Sequence, residues 1–70
     1  MVFEKVTLPI ARKMAKLTQK SLAEKVGVSE STVFNWENGK TEPTVSQAML
    51  IAEVCERPLD SIIFLTSDTV

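Results

Sequence analysis

Few side chains in this sequence can make or break bonds. There is no histidine, and the single cysteine, Cys55, has no imidazole to deprotonate it. No Cys/His set has metal-ligand spacing, and no phosphate loop or paired nucleophile and base occurs. The carboxylates Glu53, Glu56 and Asp60 read as a solvated face. A zinc finger and a disulfide scaffold are excluded, and the expectation is a chain with no catalytic, cofactor-binding or metal-binding residue, hence not an enzyme. What the sequence does hold is a cluster of short hydrogen-bonding side chains, Glu30, Ser31, Thr32 and Asn35, with Phe34 among them. Such groups recognise another hydrogen-bonding surface; they do not transform it.

The elements around this cluster are marked by their punctuation. Ser29 caps a helix in which Val33 and Trp36, one turn apart, face inward, and Asn38-Gly39 closes it. A helix of about two turns precedes it, started by Thr18, buried along Leu22, Ala23 and Val26, and stopped by Gly27. Ser21 stands where Glu or Gln would complete a capping box with Thr18, so this helix is expected to lean on tertiary packing. The first helix is expected over residues 8–16, capped by Thr7 with Pro9 in its opening turn and Leu8, Ala11 and Ala15 inward. A fourth begins at the Thr44-Val45-Ser46-Gln47 capping box, with Ala48, Ile51, Ala52 and Cys55 on its inner face. A short fifth helix is expected over residues 58–64, with Asp60 at its positive end and Leu59, Ile62 and Ile63 apolar. Residues 2–6 alternate in polarity and suggest a short strand, paired with residues 65–70.

A short helix that stops at a glycine and restarts within a few residues projects a second helix from the body. That second helix fits a DNA major groove, about 12 Å wide. Gly27 makes the turn, Val28 plugs the corner, and Ser29 exposes helix N-terminal amides to a phosphate. On the exposed faces, Asn35 matches an adenine edge in bidentate fashion and Ser31 donates or accepts. The Thr32 methyl or the Phe34 ring can meet a thymine methyl. Phe34 has two other readings, a partner contact or a cluster with Phe3. Glu30 either accepts from a cytosine amino group or repels phosphates as a filter against wrong sites. Trp36 shares the Val33 face and reads as core.

The order Thr-Gln, Leu-Ala, Val-Gly-Val-Ser, Val33 and Trp-Glu-Asn-Gly-Lys within residues 18–40 resembles the Cro/C1-type (XRE-like) helix-turn-helix family. Leu8, Arg12, Pro43 and the Leu59-Asp60 pair match it as well, so the resemblance covers roughly residues 8–64. It implies an all-α, compact five-helix domain of the lambda repressor-like fold that binds double-stranded DNA as a transcriptional regulator. It also implies that Gln19 and Lys40 clamp phosphates, with Lys20 adding to them. Arg12 and Glu37 are implied as a structural pair joining the first helix to the end of the third. Lys16 departs from the family, standing where a glycine often ends the first helix. The ending from Asp60 to Leu65 is similar to small phage-type regulators of Gram-positive bacteria, which implies a phage or mobile-element repressor.

Seventy residues allow one core, so residues 1–70 are read as a single domain with its core at about 8–64, a short N-terminal arm and a C-terminal tail. The net charge of −1 hides an uneven distribution. Residues 5–40 hold seven basic and three acidic side chains, and residues 41–70 one basic and five acidic, which points to one cationic face. No apolar run reaches the roughly 18 residues that span a bilayer, and no secretory signal is visible, so a cytoplasmic protein is expected. One reading helix covers too few base pairs, so a homodimer is expected, with residues 62–65 or the arm at residues 2–6 as its interface. No membrane and no small-molecule ligand is expected. The rival reading is a protein-interaction module of the same fold, an antitoxin or repressor partner.

Overall fold

The computed structural model describes residues 3–64. Its elements in chain order are strand β1 (Val6–Thr7), helices α1 (Leu8–Met14), α2 (Gln19–Val26), α3 (Glu30–Glu37) and α4 (Val45–Val54), a 3-10 turn (Leu59–Ser61), and strand β2 (Ile62–Ile63). Among the described residues, no helix is long and apolar enough to cross a membrane.

Each α-helix begins at a residue with extended backbone, and three of the four are closed by a side chain. The Ser29 hydroxyl accepts from the Thr32 amide, and Thr44 and Gln47 form the expected reciprocal box. The expected weakness at the start of α2 is overturned. Ser21 completes a box of its own, its Oγ accepting from Thr18 N at 2.9 Å while Thr18 Oγ1 accepts from Ser21 N at 3.0 Å. A serine is long enough here because Ser21 Oγ also bonds back to the Thr18 carbonyl at 3.1 Å, which holds it over the turn. Thr7, in contrast, occupies the cap position of α1 but makes no side-chain cap bond.

The α1 boundary falls earlier than expected. Ala15 is its C-cap, and Lys16 adopts the left-handed backbone, φ 62°, that a glycine would take more cheaply.

One core joins all the helices: Leu8 and Ala11 from α1, Leu22 and Ala23 from α2, Val33 and Trp36 from α3, Ile51 and Ala52 from α4, then Cys55 and Ile62. Val28 packs against it at the α2–α3 corner, as expected. Ala48 is only half-buried.

The five-helix expectation does not hold. Beyond Pro58, whose backbone is extended, only Leu59–Ser61 wind into one 3-10 turn. The Ser61 hydroxyl donates to the Pro58 carbonyl at 2.6 Å, and the chain then extends. The β-branched Ile62 and Ile63 pair in parallel with Val6 and Thr7. The strand expected over residues 2–6 is displaced: residues 3–5 are not in a strand, only Val6 of that span belongs to β1, and its partner is Ile62–Ile63; residues 65–70 lie outside the described residues. The domain is mainly helical with a two-residue parallel ribbon.

Candidate nucleic-acid interface

The pair α2–α3 owes its geometry to two left-handed glycines. Gly27, φ 87°, ends α2, and its amide bonds Ala23 O at 2.8 Å. Gly39, φ 74°, ends α3, where Lys40 N reaches back to Asn35 O at 2.9 Å. Val33 and Trp36, 0% and 3% exposed, hold α3 to the body by one side. Its opposite side is free: Glu30, Ser31 and Phe34 are exposed and Asn35 is half-buried. Spaced i, i+1, i+4 and i+5, these four fall on one arc of the helix.

A buried ionic network sets α3 against the rest. Arg12 Nε donates to Glu37 Oε2 at 2.6 Å, Arg12 Nη2 to Glu37 Oε1 at 3.3 Å, and Arg12 Nη1 to the Leu17 carbonyl at 2.8 Å. The two side chains are only 11% and 5% exposed, so the pair implied by resemblance is present and largely out of water. Gln19 joins it, its Nε2 donating to Glu37 Oε1 at 2.9 Å. The network thus ties the end of α1, the start of α2 and the end of α3 to one carboxylate. Residue types alone did not reveal the Gln19 bond, because the partners lie 18 positions apart and meet only once three helices are packed.

The other candidate residues divide by what already occupies them. Lys20 and Lys40 are exposed, as phosphate clamps must be, and Glu30 is exposed in the first turn of α3. Ser29 spends its hydroxyl on the cap and on Ser31 Oγ at 3.1 Å and Thr32 Oγ1 at 2.8 Å, and its carbonyl on Thr32 N and Val33 N, leaving its backbone N–H to meet a phosphate. Thr32 is half-buried and tied to that cap. The ring of Phe3, the cluster partner expected for Phe34, lies against the Arg57 guanidinium, 5.4 Å from ring centroid to guanidinium carbon. Cys55 packs in the core, where burial pushes its thiol above the ordinary 9.0, outweighing the opposing pull of Arg57 and Arg12. Among the described residues, no group of three His, Cys, Asp or Glu side chains converges as a metal site would require.

Two comparisons bear on this geometry. The helix-turn-helix family HTH_3 matches residues 10–62, a span that includes all four helices except the first two residues of α1. An uncharacterized HTH-type transcriptional regulator of Bacillus subtilis (strain 168), YobD, is 33% identical over 57 residues, covering 81% of this chain and 51% of the relative. Another, MJ0272 of Methanocaldococcus jannaschii, is 35% identical over 57 residues, covering 81% of this chain and 86% of the relative. The match therefore spans about half the length of the Bacillus protein and most of the archaeal one.

Proposed function

The chain belongs to the helix-turn-helix family, of the Cro/C1 type, and from that membership we infer that it is a transcriptional regulator that binds double-stranded DNA through the α2–α3 pair. The observation that carries this reading is the solvent-facing arc of α3, with Glu30, Ser31 and Phe34 exposed and Asn35 half-buried, set against the body by the Arg12–Glu37–Gln19 network. Ser31 and Asn35 read base edges in the major groove, and Glu30 and Thr32 complete that face. Gln19, Lys20, Lys40 and the Ser29 backbone grip phosphates and set the register. Gln19 has one amide N–H left for that grip, since its other bond goes to Glu37.

Repression by occupancy is the simplest mode of action for residues 1–70 as one unit, and the similarity to small phage-type regulators favours a phage or mobile-element repressor. Such a protein works in the cytoplasm, as a homodimer on half-sites about 34 Å apart, without a small-molecule ligand. Of the expected interfaces, Ile62 is spent in the core, whereas Ile63 is 42% exposed and available.

A second reading has one observation in its favour. Val45, Met49, Leu59 and Ile63 are exposed apolar side chains on α4 and the segment after it, which suits a protein partner.

The test is a titration of labelled intergenic duplex DNA at two salt concentrations, run beside a Ser31→Ala/Asn35→Ala double variant. Selective binding that weakens with salt and is lost in the folded double variant is the expected result. Binding no tighter than to random duplex, unchanged by the variant, would discard the regulator reading in favour of the protein partner.

A further inference from the structure

Eight large apolar side chains are more than a third exposed among the described residues: Phe3, Ile10, Met14, Phe34, Val45, Met49, Leu59 and Ile63. Seven of them lie on the arm, α1, α4 or the segment after it. Phe34 alone stands on the α2–α3 pair, 47% exposed, in the same arc as Glu30, Ser31 and Asn35. Its backbone is held firmly, because the Phe34 carbonyl accepts from Asn38 N at 3.1 Å and from Asn38 Nδ2 at 2.8 Å. The ring is thus the one exposed large apolar group on the α2–α3 pair among the described residues, sharing its arc with Glu30, Ser31 and Asn35.

Protein-binding patches need contiguous apolar area, and this arc does not supply it. A major groove presents the complementary arrangement: hydrogen-bonding base edges with one apolar group, the thymine 5-methyl. Thr32, the other residue of α3 expected to meet a thymine methyl, is half-buried and bonded through Oγ1 to the Ser29 cap. We propose that Phe34 is a specificity-determining residue whose ring packs on the 5-methyl of a thymine in each half-site. This rests on the DNA-binding reading above and narrows it to sites with thymine at a defined position.

The test uses the full chain and a randomised duplex library. After selection of bound sequences, each enriched thymine is replaced in turn by deoxyuridine, which removes the methyl and leaves the base pair intact. One such replacement should weaken wild-type binding about fourfold, the value of burying one methyl-sized group. Phe34→Ala should lose at least as much on the thymine duplex and then be indifferent to that uracil, while Ser31→Ala, weaker overall, keeps the full uracil penalty. Thermal melting of Phe34→Ala should still show one cooperative transition, lowered by only a few degrees, since about half of the ring lies outside the fold. A uracil penalty that persists undiminished in Phe34→Ala, or no thymine whose replacement weakens binding, would overturn the proposal and leave the ring to another partner. Failure to enrich any sequence would overturn the DNA-binding reading itself, and this proposal with it.

Discussion

Glu37, the last residue of α3, carries a formal negative charge into a setting where its side chain is only 5% exposed. The Arg12 guanidinium makes this tolerable by neutralising it, and three N–H donors reach its oxygens, one on Oε2 and two on Oε1. Removing the carboxylate leaves Arg12 buried with only the Leu17 carbonyl and strips Gln19 of its anchor. Glu37→Ala should therefore cost about 3–5 kcal/mol of stability, read as a fall in the urea midpoint. DNA binding would fall with it, so such a loss is no evidence that Glu37 touches DNA. The residue scale was legible in part. Val33 and Trp36 as core and Ser31 as an outward group followed from helical spacing, whereas Asn35, expected outward, is half-buried. The engagement of Ser29, Ser31 and Thr32 with one another did not, because hydroxyl rotamers are chosen by local geometry and not by pattern.

Helix ends explain most of what the sequence reading got right and wrong about the elements. Glycines at 27 and 39 stop α2 and α3 in the left-handed region, and both boundaries were readable from them. The ends of α1 and α4 use the same conformation without glycine, at Lys16 with φ 62° and Glu56 with φ 59°, and so carried no such signal. Each forces an L-residue into a conformation that costs about 1–2 kcal/mol. Part of that is returned by the more restricted unfolded chain, so Glu56→Gly should raise stability by about 0.5–1 kcal/mol, seen as a higher urea midpoint at unchanged slope. Glu56 is the better site for this test because it is exposed and far in sequence from α2–α3. The missing fifth helix has a similar cause. Its apolar residues fit a helical face, but Pro58, the Ser61 hydroxyl and two β-branched residues favour one turn and then an extended chain.

At the scale of the whole molecule, the first and last described elements close on each other, and Arg57 fastens them. Its Nε donates to Ser61 Oγ at 2.9 Å, its Nη2 to the Glu4 carbonyl, and its Nη1 meets Met14 Sδ at 3.7 Å, while the Phe3 ring covers it. One side chain thus bridges the arm, α1 and the turn before β2. Nothing in the sequence marked Arg57 for this role, since its partners include a backbone carbonyl 53 positions away. Arg57→Ala should leave the α2–α3 pair intact and speed hydrogen exchange at Val6, Thr7, Ile62 and Ile63 selectively, a pattern that amide exchange measured residue by residue would resolve. The ribbon beneath that clasp has a mechanical character. Val6 faces Ile62 and Thr7 faces Ile63 with both strands running the same way, so the chain enters at one end of the ribbon and leaves at the other. A pull on the flanking chain drags β1 backward and β2 forward, loading the cross-strand bonds together in shear instead of peeling them one by one. The joint resists tension along its length better than its size suggests.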